Sequence, residues 1–189
     1  MNILVSGFEA FLGFEENVTQ ILLENLPNKI GKFNIIKLLL PVVYGEGFFL
    51  LDEKINLVKP DYVIALGMAA SRKKISIEKI AVNINDSQGE DNKKVKLKDS
   101  IIVKEGDLAL GCEIHFDSNL YNNPYISNSY SGGTYVCNDL YYRLLNEKKI
   151  KKNVNIDYPQ AVFVHCPSFE NIPQAIQLKA LEDIILSIT

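Results

Sequence analysis

The sequence predicts an α/β fold: one domain over residues 1–189, a three-layer α/β/α sandwich on a twisted, mostly parallel sheet of mixed character. Two observations carry this reading. Short β-rich apolar runs alternate with segments of helical spacing, a β-α-β-α-β rhythm that parallel sheets require. The 189 residues, 47% hydrophobic and 23% charged, suffice for one sizeable core of ordinary globular composition.

In chain order, NILVSGF is a first strand closing on Gly7. The opening MNILVSGF has no positive segment ahead of its apolar stretch, so it reads as a strand and not a signal peptide. After a loop, VTQILLENL shows helical spacing with Asn17 as N-cap. FNIIKLLLPV alternates little and is expected to be buried on both faces. Gly45 and Gly47 open a second helix that runs to about Val58. Pro60 announces the strand KPDYVIALGM, ended by Gly67. SIEKIAVNIND is rich in β-branched residues and reads as one further strand. Residues 87–98 shift to Gly, Asp, Asn and Lys, a solvated loop. IIVKEGDLALGCEIHF reads as a hairpin or irregular strand pair, and NLYNNPYISNSYSGG has no assignment. A helix from Cys137, the strand AVFVH and a helix over 173–188 complete the chain.

Composition narrows the function. A net charge of −3 offers no basic field for nucleic acid. No apolar run approaches the ~18 residues of a membrane span. Cys112, Cys137 and Cys166 lack CxxC spacing, which argues against a disulfide framework or a zinc site and for a reducing cytoplasm. Gly7 follows a first strand, but neither GxGxxG nor GxxxxGK[ST] is present, so a nucleotide site is not indicated. No metal or cofactor is expected.

Chemistry concentrates at two places. In SGGTYVCNDLYYRLL a Gly-Gly turn leads into an amphipathic helix with Cys137 at its start. Unpaired N–H groups and the helix dipole there favour thiolate. Later, AVFVHCP ends a strand on His165, one of only two histidines. In parallel sheets, sites form beyond the carboxyl ends of strands, where Gly7, Gly67 and His165 fall. A thiol and an imidazole so placed can form a nucleophile–base pair. Cys166 points to the opposite face and reads as core, and Cys112 and His115 read as structural or surface residues. A carboxylate should orient the imidazole; Glu78, Asp86 and Asp91 compete, and spacing does not choose among them. A binding protein without turnover and a redox-sensing thiol remain alternatives.

Four segments resemble the pyroglutamyl peptidase I family. GFEAFLGFEEN is similar to its GF-[DE]-PF-GG…N opening, and IEKIAVNIND to its PERVAININD. TYVCNDLYYRLL resembles its T-[FY]-VCN…[YF]-x-LL, and FVHCP its F-[IV]-H-x-P. The matches occur in the family order. The resemblance implies Glu78, Cys137 and His165 as the catalytic group, and a pyroglutamate slot formed by Phe8, Phe11, Tyr135 and Val136, with the Tyr135 hydroxyl available to a polar ligand. Without the resemblance, Phe8 and Phe11 would read as plain core. It also implies a peptide substrate with amino-terminal pyroglutamate, a mixed sheet flanked by helices, and often a tetramer.

The pattern breaks at recognition positions. Where the family reads GQAGGR, residues 67–72 read GMAASR, with Met68 replacing an amide that contacts the lactam. Where it reads ARIPDN, this chain reads SQGEDN, with neutral Gln88 in place of an arginine. Ala10 and Leu12 replace a Pro and a Gly of the first loop. The resemblance therefore implies a cysteine hydrolase more firmly than it implies pyroglutamate as the substrate.

Overall fold

The computed structural model describes residues 1–11, 13 and 16–189, so Leu12 lies outside the described residues. The strands are β1 (Asn2–Phe8), β2 (Lys29–Ile30), β3 (Phe33–Leu40), β4 (Tyr62–Met68), β5 (Ile75–Glu78), β6 (Ile80–Val82), β7 (Ala109–Gly111), β8 (Ile126–Ser129) and β9 (Gln160–Cys166). The helices are α1 (Val18–Asn25), α2 (Glu46–Val58), α3 (Val136–Asn153) and α4 (Gln174–Leu186), with a 3-10 turn at Ser118–Asn122.

Among the described residues the main sheet runs β2-β3-β1-β4-β9-β5-β8. β1 pairs parallel with β3 and β4, β4 with β9, and β5 with β8. β2 runs antiparallel to β3, and β5 to β9. The expected mixed sandwich is therefore present, with helices on both faces. On one face Leu22, Leu181 and Ile184 pack over Val5, Ile64 and Val164. On the other, Leu51, Tyr141 and Leu144 pack over Leu4, Val63 and Phe163. Each fully buried side chain of this size contributes about 1.5–3 kcal/mol. The period of two along β9 sends Val164 and Cys166 to the first face, which confirms Cys166 as core. Phe163 and His165 take the second face.

Local chemistry sets the helix starts. Asn17 caps α1 as expected, its side chain accepting from the Thr19 N–H. Gly45 precedes α2 at φ 75°, a left-handed conformation that glycine adopts without strain.

Three expectations need correction. β3 is not buried on both faces: it lies next to the sheet edge, covered by only the two residues of β2, and Leu39 is exposed. SIEKIAVNIND is not one strand. It breaks at Lys79, whose carbonyl accepts the Cys112 N–H, and β6 leaves the main sheet to pair with β7. The change of sheet is visible in the core, since Ile77 packs on one face and Ala81 on the other. Of IIVKEGDLALGCEIHF, β7 alone is a strand. The Asn- and Tyr-rich stretch left unassigned supplies β8, an edge strand of the main sheet.

Gly7 is where α1 meets the sheet. A Cβ there would lie 2.6 Å from the Thr19 carbonyl oxygen, a backbone atom fixed within the helix. Gly7→Ala should lower unfolding stability by about 1–3 kcal/mol through overpacking. The measurement is the urea midpoint at constant m-value; an unchanged midpoint would mean that α1 gives way freely.

Candidate active site

The sheet register brings Glu78 and His165 together. Glu78 lies opposite Phe163 across the antiparallel β5–β9 pair, and His165 is two residues further along the same face. Such diagonal neighbours sit about 7–8 Å apart at Cα. A Glu spans that gap, and an Asp, one methylene shorter, would not. His165 Nδ1 lies 2.7 Å from Glu78 Oε1, and both side chains are almost fully buried. Asp86 and Asp91, the competing carboxylates, are engaged elsewhere. Asp86 pairs with Lys98, and Asp91 accepts the N–H groups of Tyr44, Lys93 and Val95.

Cys137 is the second residue of α3, which begins at Val136 with no side-chain cap from Tyr135. Its sulfur lies over β4: a Cβ on Gly67 would stand 2.9 Å from Cys137 Sγ. Gly67 is the register neighbour of His165. The sulfur thus lies over the β4 residue that pairs with His165, where β4 and β9 end side by side. The two residues after Cys137 lock the start of α3. Asn138 bonds the Val82 N–H and the Val82 and Ile84 carbonyls. Asp139 is buried in the first turn and accepts from Gly45 N–H, Asn85 Nδ2 and Arg143 Nε. An acidic group there also suits the helix dipole.

Electrostatics correct one expectation. Burial and the nearby Glu78 charge push the Cys137 thiol up to about 12, outweighing its own backbone N–H and Arg72. The helix start favours thiolate, but protein atoms crowd the sulfur and the adjacent carboxylate repels it. Burial also dominates at His165, lowering its pKa against the raising effect of Glu78. For Glu78, burial raises the pKa, but hydrogen bonds from His165 and Ser129 and the charges of His165 and Arg72 prevail and lower it. The resting site is therefore a neutral thiol, a neutral imidazole and an ionised carboxylate.

Beside the sulfur is a small cavity of about 30 Å³ lined by Phe8, Phe11, Asn17, Val42, Met68, Tyr135, Val136 and Cys137. Five of the six expected substrate-binding residues are in this lining. Gln88 is not: it is exposed, between Ser87, whose side chain turns inward to Tyr44, and the Asp91 turn. The Tyr135 hydroxyl is also not left for a ligand, since it donates to the Glu90 carbonyl. Asn17 and Val42 were not foreseen. Asn17 read only as a helix cap, and its place between Glu9 and Thr19 depends on the fold.

Arg72 was likewise not foreseen as a member of the site. Its Nη1 lies 2.7 Å from Glu78 Oε1, and its Nη2 donates to the Ser131 carbonyl at 2.9 Å. Among the described residues, no group of three or more His, Cys, Asp or Glu side chains could hold a metal ion. No helix among them is long and apolar enough to cross a membrane.

The family model described as pyroglutamyl peptidase matches residues 1–185. The pyrrolidone-carboxylate peptidase of Thermosipho melanesiensis is 37% identical over 192 residues, covering 97% of this chain and 93% of that protein. A mutant pyrrolidone carboxyl peptidase from Pyrococcus furiosus superposes with a TM-score of 0.90 at 29% identity, covering 100% of this chain and 98% of the other. The pyrrolidone carboxyl peptidase of Thermococcus litoralis gives a TM-score of 0.87 at 27% identity, with 98% and 91% covered. Alike along nearly its whole length in both sequence and fold, this chain belongs to the pyroglutamyl peptidase family.

Proposed function

We propose that the chain is a cysteine peptidase that removes an amino-terminal pyroglutamyl residue from peptides, using Cys137, His165 and Glu78. The observation that carries this reading is the buried 2.7 Å contact between His165 Nδ1 and Glu78 Oε1 beside the strand end that supports the Cys137 sulfur. With Nδ1–H donated to Glu78, Nε2 is the free base. It takes the thiol proton as sulfur attacks the carbonyl joining pyroglutamate to the next residue. Unpaired N–H groups at the start of α3 receive the oxyanion. The imidazolium then gives its proton to the departing amine as the C–N bond breaks. Water, deprotonated by His165, cleaves the thioester and restores the thiol. Glu78 stabilises the imidazolium in both halves.

The flat lactam fits a slot of Phe8, Phe11 and Tyr135 rings, the last two 6.3 Å apart at their centroids. Met68 in that lining favours a second reading, a related hydrolase acting on a different blocked amino terminus. The proposal extends to a cytoplasmic homotetramer. Three free cysteines suit a reducing compartment, and exposed Phe49, Leu50 and Leu57 on α2 suit association.

Release of a fluorescent amine from its pyroglutamyl conjugate under reducing conditions tests the reaction. Cys137→Ser should reduce turnover by about 10³-fold or more, because the alcohol is far less acidic than the thiol. Turnover indifferent to that change would reject the mechanism.

The pH dependence follows from the lowered His165 pKa. Protonating the imidazole removes the base, so kcat/KM should fall as pH drops through a value below the ordinary ~6.5 of histidine. A limb displaced far above that, toward the raised Cys137 thiol, would instead mean that thiolate formation sets the rate.

Met68→Gln adds an amide to a lining that otherwise carries one, at Asn17. One added hydrogen bond should raise kcat/KM for the pyroglutamyl conjugate by about two- to tenfold. A fall would favour the second reading.

A further inference from the structure

Arg72 occupies a position that the reaction above does not use. It lies on the turn after β4, and that turn is tightly held. Arg72 N–H donates to the Ala69 carbonyl and Ala69 N–H to the Cys166 carbonyl. From the far side of β9, the Asn171 side chain donates to the carbonyls of both Ala70 and Arg72. So fixed, the guanidinium reaches two parts of the site at once. One nitrogen meets Glu78 Oε1, the same oxygen that takes His165 Nδ1, and another meets the Ser131 carbonyl. Ser131 opens the turn that continues through Gly132 and Gly133, the latter at φ 77°, to Cys137. Gly132 lies directly beside the Glu78 carboxylate and the His165 ring.

We infer that Arg72 is a positioning residue for the proposed hydrolysis: its planar fork clamps the Glu78 carboxylate against His165 and ties that pair to the turn leading to the nucleophile. The inference rests on the function proposed above. Two bonds from one rigid planar group fix two partners relative to each other, which an ammonium with rotatable donors on a flexible stem does less firmly. The pair needs such a clamp because Glu78 is wholly buried and its charge would otherwise be offset only by the neutral groups of His165 and Ser129. The charged groups that act on His165 are Glu78 from β5 and Arg72 from the β4 turn, and the same two act on Cys137 from α3. Of these, Arg72 disfavours the imidazolium and favours the thiolate.

The test compares Arg72→Met and Arg72→Lys with the wild-type chain by two readouts. The first is histidine titration by NMR, with His115 as the internal control for folding. The second is steady-state turnover of the pyroglutamyl conjugate. Arg72→Met should move the His165 titration upward and leave His115 in place. It should lower kcat by about tenfold or more with little change in KM, as expected when orientation is lost and ground-state binding is kept. Arg72→Lys should return the titration toward the wild-type position but recover only part of kcat. A wild-type His165 titration together with wild-type kcat in Arg72→Met would overturn the inference, as would full recovery of kcat in Arg72→Lys. Absence of turnover in the wild-type chain would defeat the proposed function, while the His165 titration would still report on the clamp.

Discussion

A carboxylate with no exposure to solvent governs this structure. Ionised Glu78 survives inside the protein because His165 and Arg72 both meet one of its oxygens and Ser129 lies close. Burial alone would drive it to the neutral acid, and a neutral acid would lose its grip on the imidazole. Every neighbouring element is arranged around that need. β5 runs against β9 and not with it, which sets Glu78 on the diagonal from His165. β8 is laid alongside β5 so that Ser129 comes opposite Glu78. The β4 turn is held by Asn171 so that Arg72 is presented inward. The mixed pairing of the sheet is thus a condition of the site and not an irregularity at its edge.

The same burial explains why the resting thiol is neutral. A helix start stabilises negative charge, but the Cys137 sulfur sits close to an existing anion among crowded protein atoms. Storing a thiolate there would place two negative charges side by side. In the proposed reaction, leaving thiol and imidazole uncharged at rest delays charge separation until bond formation, when the imidazolium would appear beside Glu78 and the oxyanion beside the helix N–H groups. Both charges then meet groups already oriented, so the stabilisation is larger in the transition state than in the ground state. Burial that looks unfavourable for a nucleophile is favourable for a site that makes its ion pair only during attack.

Much of this could be read from the chain, and the remainder had physical reasons to be hidden. β1, β4 and β9 are central strands, buried on both sides, and their apolar runs announce them without ambiguity. Cys137 and His165 stood out because a helix start and a strand end are local features. β3 carries the same kind of run, yet it lies near the edge, and composition does not report how many strands lie beyond. The break at Lys79 arises from tertiary pairing with Cys112, more than thirty residues away in sequence. β8 is an edge strand of Ile, Ser and Asn, with a single apolar residue and nothing to mark it in composition. Spacing could not separate Glu78 from Asp86 and Asp91; the family motif did, and the diagonal register supplies the physical reason. That Gln88 stands outside the lining is equally invisible in sequence, since Ser87 beside it is pinned inward and Gln88 is turned out.

The two halves of the site are also held by different kinds of structure. Glu78 and His165 are on core strands, and Cys137 is fixed through Asn138 and Asp139 to the segment over 82–85. The ligand slot depends on two loops that bond to each other. Asn92 donates to the Glu9 carboxylate and the Ala10 carbonyl, Tyr135 to the Glu90 carbonyl, and Tyr44 to Ser87. Loop contacts of this kind tolerate exchange of side chains at far smaller cost than a buried ion pair does. A change at Met68 or in the first loop alters what the slot accepts without disturbing the proton path, whereas a change at Glu78 leaves a buried imidazole without a partner. The cavity lining is itself mixed, with Phe8 and Met68 at strand ends and Phe11, Val42 and Tyr135 on connecting segments, whereas the Glu78–His165 pair lies wholly within the sheet.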